Sequence, residues 1–233
     1  MSHYQSGILA PVPKLARYLS FSLQAGAKPG RAIKSLVELT DGESVVVGLG
    51  QSLVRILGGE ISGLRVFPTQ FGSGLILPSS SAALWCWLRG DDRGKLLHAG
   101  RKIDAAVSSA FALDSVIDGF QHDTGRDLTG YLDGTENPKG NKASVAAIVR
   151  GQGVGLDGSS FVAVQQWVHD FHRFDAMSSK EQDNSVGRRR SDNKELSGAP
   201  RSSHVKRTAQ ESFSPEAFVL RRSMRGPTVT PPA

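Results

Sequence analysis

Between Leu15 and Gln24 the apolar residues Leu19, Phe21 and Leu23 alternate with Ser20 and Ser22, the period-two signature of a half-buried strand. The period then changes. After Pro29, which suits the first turn of a helix, Ile33, Leu36 and Val37 recur at helical spacing until Asp41-Gly42 breaks the chain. Val45, Val47 and Leu49 predict a second strand, and the apolar run from Ala82 to Leu88 predicts a central one. Asp91 and Asp92 then open a long helix, acids being favourable at its positive end, with Leu96, Leu97, Ile103, Ala106, Val107 and Ala110 on one face. Residues Val116 to Phe120 return to extended character. The order β-α-β, β-α-β through about residue 122 predicts an α+β protein with a largely antiparallel sheet and helices on one face, the ferredoxin-like arrangement.

A Gly-, Asn- and Asp-rich stretch from Asp123 to Gly140 interrupts the periodicity and marks a boundary or functional loop. A second α+β unit is expected after it. Ser160 to Val168 alternates like a strand, Ser178-Ser-Lys-Glu181 has the form of a capping box, and Phe218 to Leu220 reads as another strand. The residues from Arg225 to Ala233 offer nothing to complete a sheet, so this second ferredoxin-like unit is expected to be incomplete. The expected domains are 1–140 and 141–233.

Composition narrows the field further. The 233 residues, 39% apolar and 21% charged, are ordinary for a soluble globular protein and admit one large domain or two smaller ones. Cys86 is the single cysteine, so no internal disulfide forms and a reducing cytoplasm would suit the chain. Neither a secretory leader nor a run long enough to span a bilayer is evident, so no membrane partner is expected. The net charge of +6 raises the alternative of a basic nucleic-acid-binding protein. That charge is concentrated from Arg188 to Arg225 with few aromatic residues to stack on bases, and no base-reading motif accompanies it.

The segment Gly130-Tyr-Leu-Asp-Gly-Thr-Glu-Asn-Pro138 is the most specific in the chain. An isolated Asp-Gly reads as a hairpin turn. The whole block, however, closely resembles the signature of the dye-decolorizing peroxidases, and the resemblance extends to Gln5-Ser-Gly-Ile-Leu9, Arg126-Asp-Leu-Thr-Gly130, Val164-Gln-Gln-Trp167, Met177 to Gln182, Gly187-Arg188, Ser202-Ser-His-Val205 and Leu220-Arg-Arg-Ser223 in order. It covers nearly the whole chain and is greatest for the cytoplasmic subgroup.

The resemblance implies a peroxidase holding b-type haem (heme b, iron protoporphyrin IX). His204 would be the iron's proximal ligand, and Asp133 would move the peroxide proton. Gly134 and Thr135 would pass close to the porphyrin. Arg221 and Ser223 would enter the distal pocket, Arg221 stabilising charge on the outer peroxide oxygen. Hydrogen peroxide and a phenolic or dye-like organic donor would be the substrates, with an oxo-ferryl intermediate between them, and a homo-oligomer is left open. The family's acidic partner for the proximal imidazole has no match in this tail. A haem-binding protein without turnover is therefore the other reading that the resemblance admits.

Other features have blander explanations. Gly153-Val-Gly-Leu-Asp-Gly158 fits a dinucleotide fingerprint, but an expected strand follows it where a helix is required, so a turn is the better reading. His169 and His172 lack further ligands for zinc. Arg222, next to Arg221, is expected to face solvent from the opposite side of a strand. Cys86 is expected to be buried, and Trp85, Trp87 and Trp167 to pack in the core rather than relay electrons.

Overall fold

A computed structural model describes residues 4–72 and 75–226. Strand β1 (Leu15–Leu23), helix α1 (Gly30–Glu38), strand β2 (Val45–Leu49), strand β5 (Leu84–Gly90), helix α3 (Arg93–Val107) and strand β6 (Phe111–Phe120) realise the expected β-α-β, β-α-β series. Their sheet runs β2-β5-β1-β6 and every pairing in it is antiparallel. Helix α2 (Gln51–Ile56) and a small hairpin of β3 (Gln70–Gly72) and β4 (Leu75–Leu77) lie between β2 and β5, where no element was expected.

The period-two pattern separates two environments. Leu19 and Phe21 of β1 face the helices together with Leu84, Cys86 and Leu88 of β5, and Leu36, Ile103 and Val107 close the core over them. Ala16, Val46 and Trp87 lie on the other face, where Tyr18, Ile8 and Met224 pack against them. Tyr18 stacks between Trp85 and Trp87 at ring separations of 6.0 and 6.3 Å, and the Arg89 guanidinium sits 4.8 Å above the Trp87 ring. Met224 thus carries the C-terminal segment onto the face that the helices leave uncovered.

Helix α3 begins where Asp92, its N-cap, accepts a 2.8 Å hydrogen bond from the Lys95 amide. Its buried face is Leu96, Gly100, Ile103 and Val107, whereas Leu97 is exposed because it lies one position off that stripe. Val37 likewise points away from the core, which α1 reaches through Ala32, Ile33 and Leu36. Cys86 is buried as expected, and burial pushes its thiol up to about 12.

Beyond the loop, the expected incomplete unit contains α4 (Asn141–Ala147), α5 (Phe171–Asp175), α6 (Ser179–Val186) and α7 (His204–Arg207). The capping box is present: the Ser178 hydroxyl accepts from the Glu181 amide and the Glu181 carboxylate accepts from the Ser178 amide at 2.8 Å. Residues 160–168 and 218–220 do not form strands. Alternation defines two faces but supplies no ladder, and among the described residues neither segment has a neighbouring strand to complete its backbone pairing. Trp167, expected in the core, is consequently 72% exposed. Residues 227–233, part of the stretch expected to add nothing to a sheet, lie outside the described residues.

Candidate functional site

The loop after β6 is folded on itself by short-range bonds. Arg126 donates to the Gly130 carbonyl at 2.6 Å, and the Asp127 amide donates to the Tyr131 carbonyl at 2.8 Å. Gly130 and Gly134 have φ of 89° and 70°, a region that glycine enters without the clash of a Cβ. A Cβ on Gly134 would also come within 3.0 Å of the Asn137 amide nitrogen.

This turn presents Asp133 with both oxygens engaged. Its Oδ1 accepts from the Gly134 amide at 2.7 Å, and its Oδ2 lies 3.2 Å from Nη1 of Arg225. Arg225 is only 8% exposed and also donates to the carbonyls of Arg126 at 2.7 Å and Gly125 at 3.0 Å. Its backbone forms an antiparallel bridge with Phe120 at the end of β6, with N–H to O distances of 2.8 and 3.0 Å. The edge of the N-terminal sheet therefore fixes the arginine that holds the loop carboxylate.

The rest of the signature block is fastened to the C-terminal half residue by residue. Thr135 accepts from Asn193 at 3.1 Å, and Glu136 pairs with Arg188, which also lies 3.7 Å from Glu195. Asn137 accepts from the Arg221 amide at 2.8 Å and donates to its carbonyl at 2.9 Å, imitating a strand partner. Tyr131, 4% exposed, donates to Asp183 at 2.5 Å, and burial together with this bond pushes its phenol up to about 12.

The expected site residues are partly gathered. The Arg221 guanidinium donates to the Thr208 carbonyl at 3.2 Å, while the Thr208 amide and hydroxyl donate to the His204 carbonyl at 3.0 and 2.9 Å. His204 opens α7 as an exposed residue, and Ser203 before it is fully buried with its hydroxyl unpartnered. Ser223 is exposed. Two surface depressions, of about 30 and 560 Å³, are lined by residues 51–64 and by Arg126, Gly130, Ser179, Asp183, Arg190 and Ser191; neither includes Asp133, His204 or Arg221. Arg222 is half-buried and donates to the Ile8 carbonyl at 3.1 Å, contrary to the expected solvated position, because its segment is not a strand with alternating faces.

The donor chemistry nevertheless suits haem. His204 offers an exposed imidazole, and Phe213, Phe218 and Val219 are exposed apolar residues. Val219 is pinned by its amide to Gln210, whose side chain donates to the Glu136 carbonyl at 3.4 Å, which places Val219 near the signature loop. Free imidazole, apolar surface and a basic surround are the three things a porphyrin with acidic side arms requires. No cluster of three or more His, Cys, Asp or Glu suited to a metal ion alone occurs among the described residues.

Sequence reasoning missed Arg225 and Asn137 as organisers of the site. Asn137 belonged to the signature block, which was a usable signal. Arg225 was one more arginine in a basic tail, and only the fold identifies its partners.

The described fold is an antiparallel sheet with helices on one face, joined to a glycine-rich loop that bears an acid–arginine pair. The chain is similar to the dye-decolorizing peroxidases: the family model described as Dyp-type peroxidase, C-terminal, matches residues 124–227. A dye-decolorizing peroxidase of Rhodococcus erythropolis is 28% identical over 222 residues, covering 93% of this chain and 61% of that protein, so the chain spans less than two thirds of its relative's length. A variant of DypB from Rhodococcus jostii RHA1, solved in complex with heme, superposes with a TM-score of 0.75 at 25% identity, over 84% of this chain and 69% of the other. A dye-decolorizing protein from V. cholerae shares the fold with a TM-score of 0.83 at 24% identity, over 96% of this chain and 79% of the other.

Proposed function

We propose that the chain binds b-type haem through His204 and reduces hydrogen peroxide to water while oxidising a phenolic or dye-like donor. The observation that carries this reading is the Asp133 carboxylate, presented on a positive-φ glycine turn and held by Arg225 in a chain similar to the dye-decolorizing peroxidases. When bound, haem would supply the metal and the two-electron redox capacity that the amino acids lack.

The protein's own part is proton placement and charge. Asp133 would accept a proton from hydrogen peroxide and return it to the departing oxygen. Its remaining acceptor capacity serves that purpose, since each oxygen has a lone pair beyond the one engaged by Gly134 or Arg225. Arg221 would turn from the Thr208 carbonyl to meet negative charge on the outer oxygen, with Ser223 as a small polar neighbour. Gly134 and Thr135 would let the loop approach the ring edge. The single buried cysteine agrees with a reducing cytoplasmic setting, and among the described residues no helix is long and apolar enough to cross a membrane.

A second reading, haem binding without turnover, is favoured by the engagement of Arg221 with Thr208. The nucleic-acid reading loses support because Arg188 and Arg189 are committed to Glu136, Glu195 and Asp192 within the chain. Steady-state oxidation of a phenol by the haem-loaded chain separates the first two. Turnover that falls at least about a hundredfold in Asp133→Asn, the usual scale of lost acid–base assistance, supports the peroxidase. A Soret band with no peroxide-dependent oxidation supports binding alone.

A further inference from the structure

We infer that Arg225 is the positioning residue for Asp133, a part that the resemblance had given to no residue and that Arg221 does not fill. The pairing stands on geometry alone; its consequence for turnover rests on the peroxidase reading. Arg225 directs three nitrogens at three acceptors of one loop: Nε at the Arg126 carbonyl, Nη2 at the Gly125 carbonyl and Nη1 at Asp133. The Asp133 amide donates to that same Gly125 carbonyl at 3.1 Å, so the guanidinium holds the carboxylate and the backbone that carries it as one unit.

Only a planar fork can do this. An ammonium at the same place would keep the charge but could not hold the three fixed directions of the guanidinium. The arrangement is also anchored from behind. The Phe120 bridge ties Arg225 to β6, and Met224 is packed against the sheet face of Ala16, Val46 and Trp87. A buried guanidinium is costly without an acid, and Asp133 is the one carboxylate that the described ion pairs give it. Arg221 is turned to Thr208, and no ion pair of its own is seen among the described residues. The two arginines therefore differ in what they hold: Arg225 sets the direction of the Asp133 carboxylate, and Arg221 is engaged with the Thr208 carbonyl.

The test is a double-mutant cycle in the full chain with Arg225→Met, Arg225→Lys and Asp133→Asn. Denaturant midpoints of the haem-free protein should be non-additive, the shift caused by Arg225→Met falling by about half or more in the Asp133→Asn background. In the haem-loaded protein Arg225→Met should lower kcat about tenfold or more while leaving the peroxide KM within about threefold, as expected for a mis-set acid–base group. Added guanidinium should restore part of that loss, and Arg225→Lys should not match the wild type. Additive midpoints would show that Arg225 supports only the loop backbone and would overturn the pairing. A lysine variant with wild-type kcat would overturn the positioning role. If the wild type itself shows no turnover the peroxidase reading falls, while the midpoints still decide the pairing.

Discussion

The two halves of the molecule are held together by different forces. From Leu15 to Phe120, a four-stranded sheet and three helices bury a continuous apolar core in which Phe21, Leu84 and Cys86 are 0% exposed. From Asp123 to Gly226, the buried residues are few and scattered, among them Tyr131, Ile148, Ser203 and Arg225, and the order comes from caps, carbonyl clamps and ion pairs. Apolar burial is non-directional and tolerant of exchange, whereas hydrogen bonds and ion pairs fix direction. The half that would carry the chemistry is thus the half in which side-chain orientation is specified. The price is an apolar strip from Phe161 to Val168 left open to solvent.

The contrast can be broken by substitution. Phe21→Ala should cost about 3–5 kcal/mol, since it leaves a cavity in a packed core, and chemical denaturation would show a single shifted transition. Tyr131→Phe should cost about 1.5–3 kcal/mol, because it removes a buried hydroxyl bonded to the Asp183 carboxylate. An equal loss at Trp167→Ala and Phe21→Ala would abolish the distinction between halves.

Smaller effects sharpen it. Ser178→Ala should cost about 1 kcal/mol by removing the cap of α6, readable as a shift in denaturant midpoint. Trp167→Ala, at a site open to solvent, should change stability by no more than about 0.5 kcal/mol. Alkaline titration probes both halves at once. Burial outweighs the opposing attraction of Arg89 at Tyr18, and the phenols of Tyr18 and Tyr131 are both pushed up to about 12. The fold favours their protonated forms, so this contribution is fully present below the unfolded phenol value of about 10 and is lost as pH rises through about 12. Ultraviolet titration should show the two phenolates forming near that upper value, and phenolates of both already formed near pH 10 in the folded chain would contradict it.

What the sequence revealed follows the same division. Alternation in β1 assigned Leu19 and Phe21 to one face, Asp92 announced α3, and Ser178 with Glu181 announced α6, because each signal is local. Helix α2 and the β3–β4 hairpin were illegible, being too short to establish a period. Residues 160–168 carried a strand's alternation without a strand's neighbours, and a ladder needs both. The signature block folds as one loop tied by local bonds, which its run of Gly, Asp and Asn made legible. The pairing of Asp133 with Arg225 was hidden because it joins residues separated by 92 positions, and several arginines in the same tail were equally good candidates on charge alone.

His204 is the residue proposed to offer its imidazole to haem iron. Titrating the haem-free chain with hemin, and comparing its absorption and magnetic circular dichroism with those of His204→Ala, tests this role. Saturable one-to-one binding is expected, with a histidine-ligated spectrum that the alanine variant loses and added imidazole restores. An unchanged spectrum in the variant would contradict it.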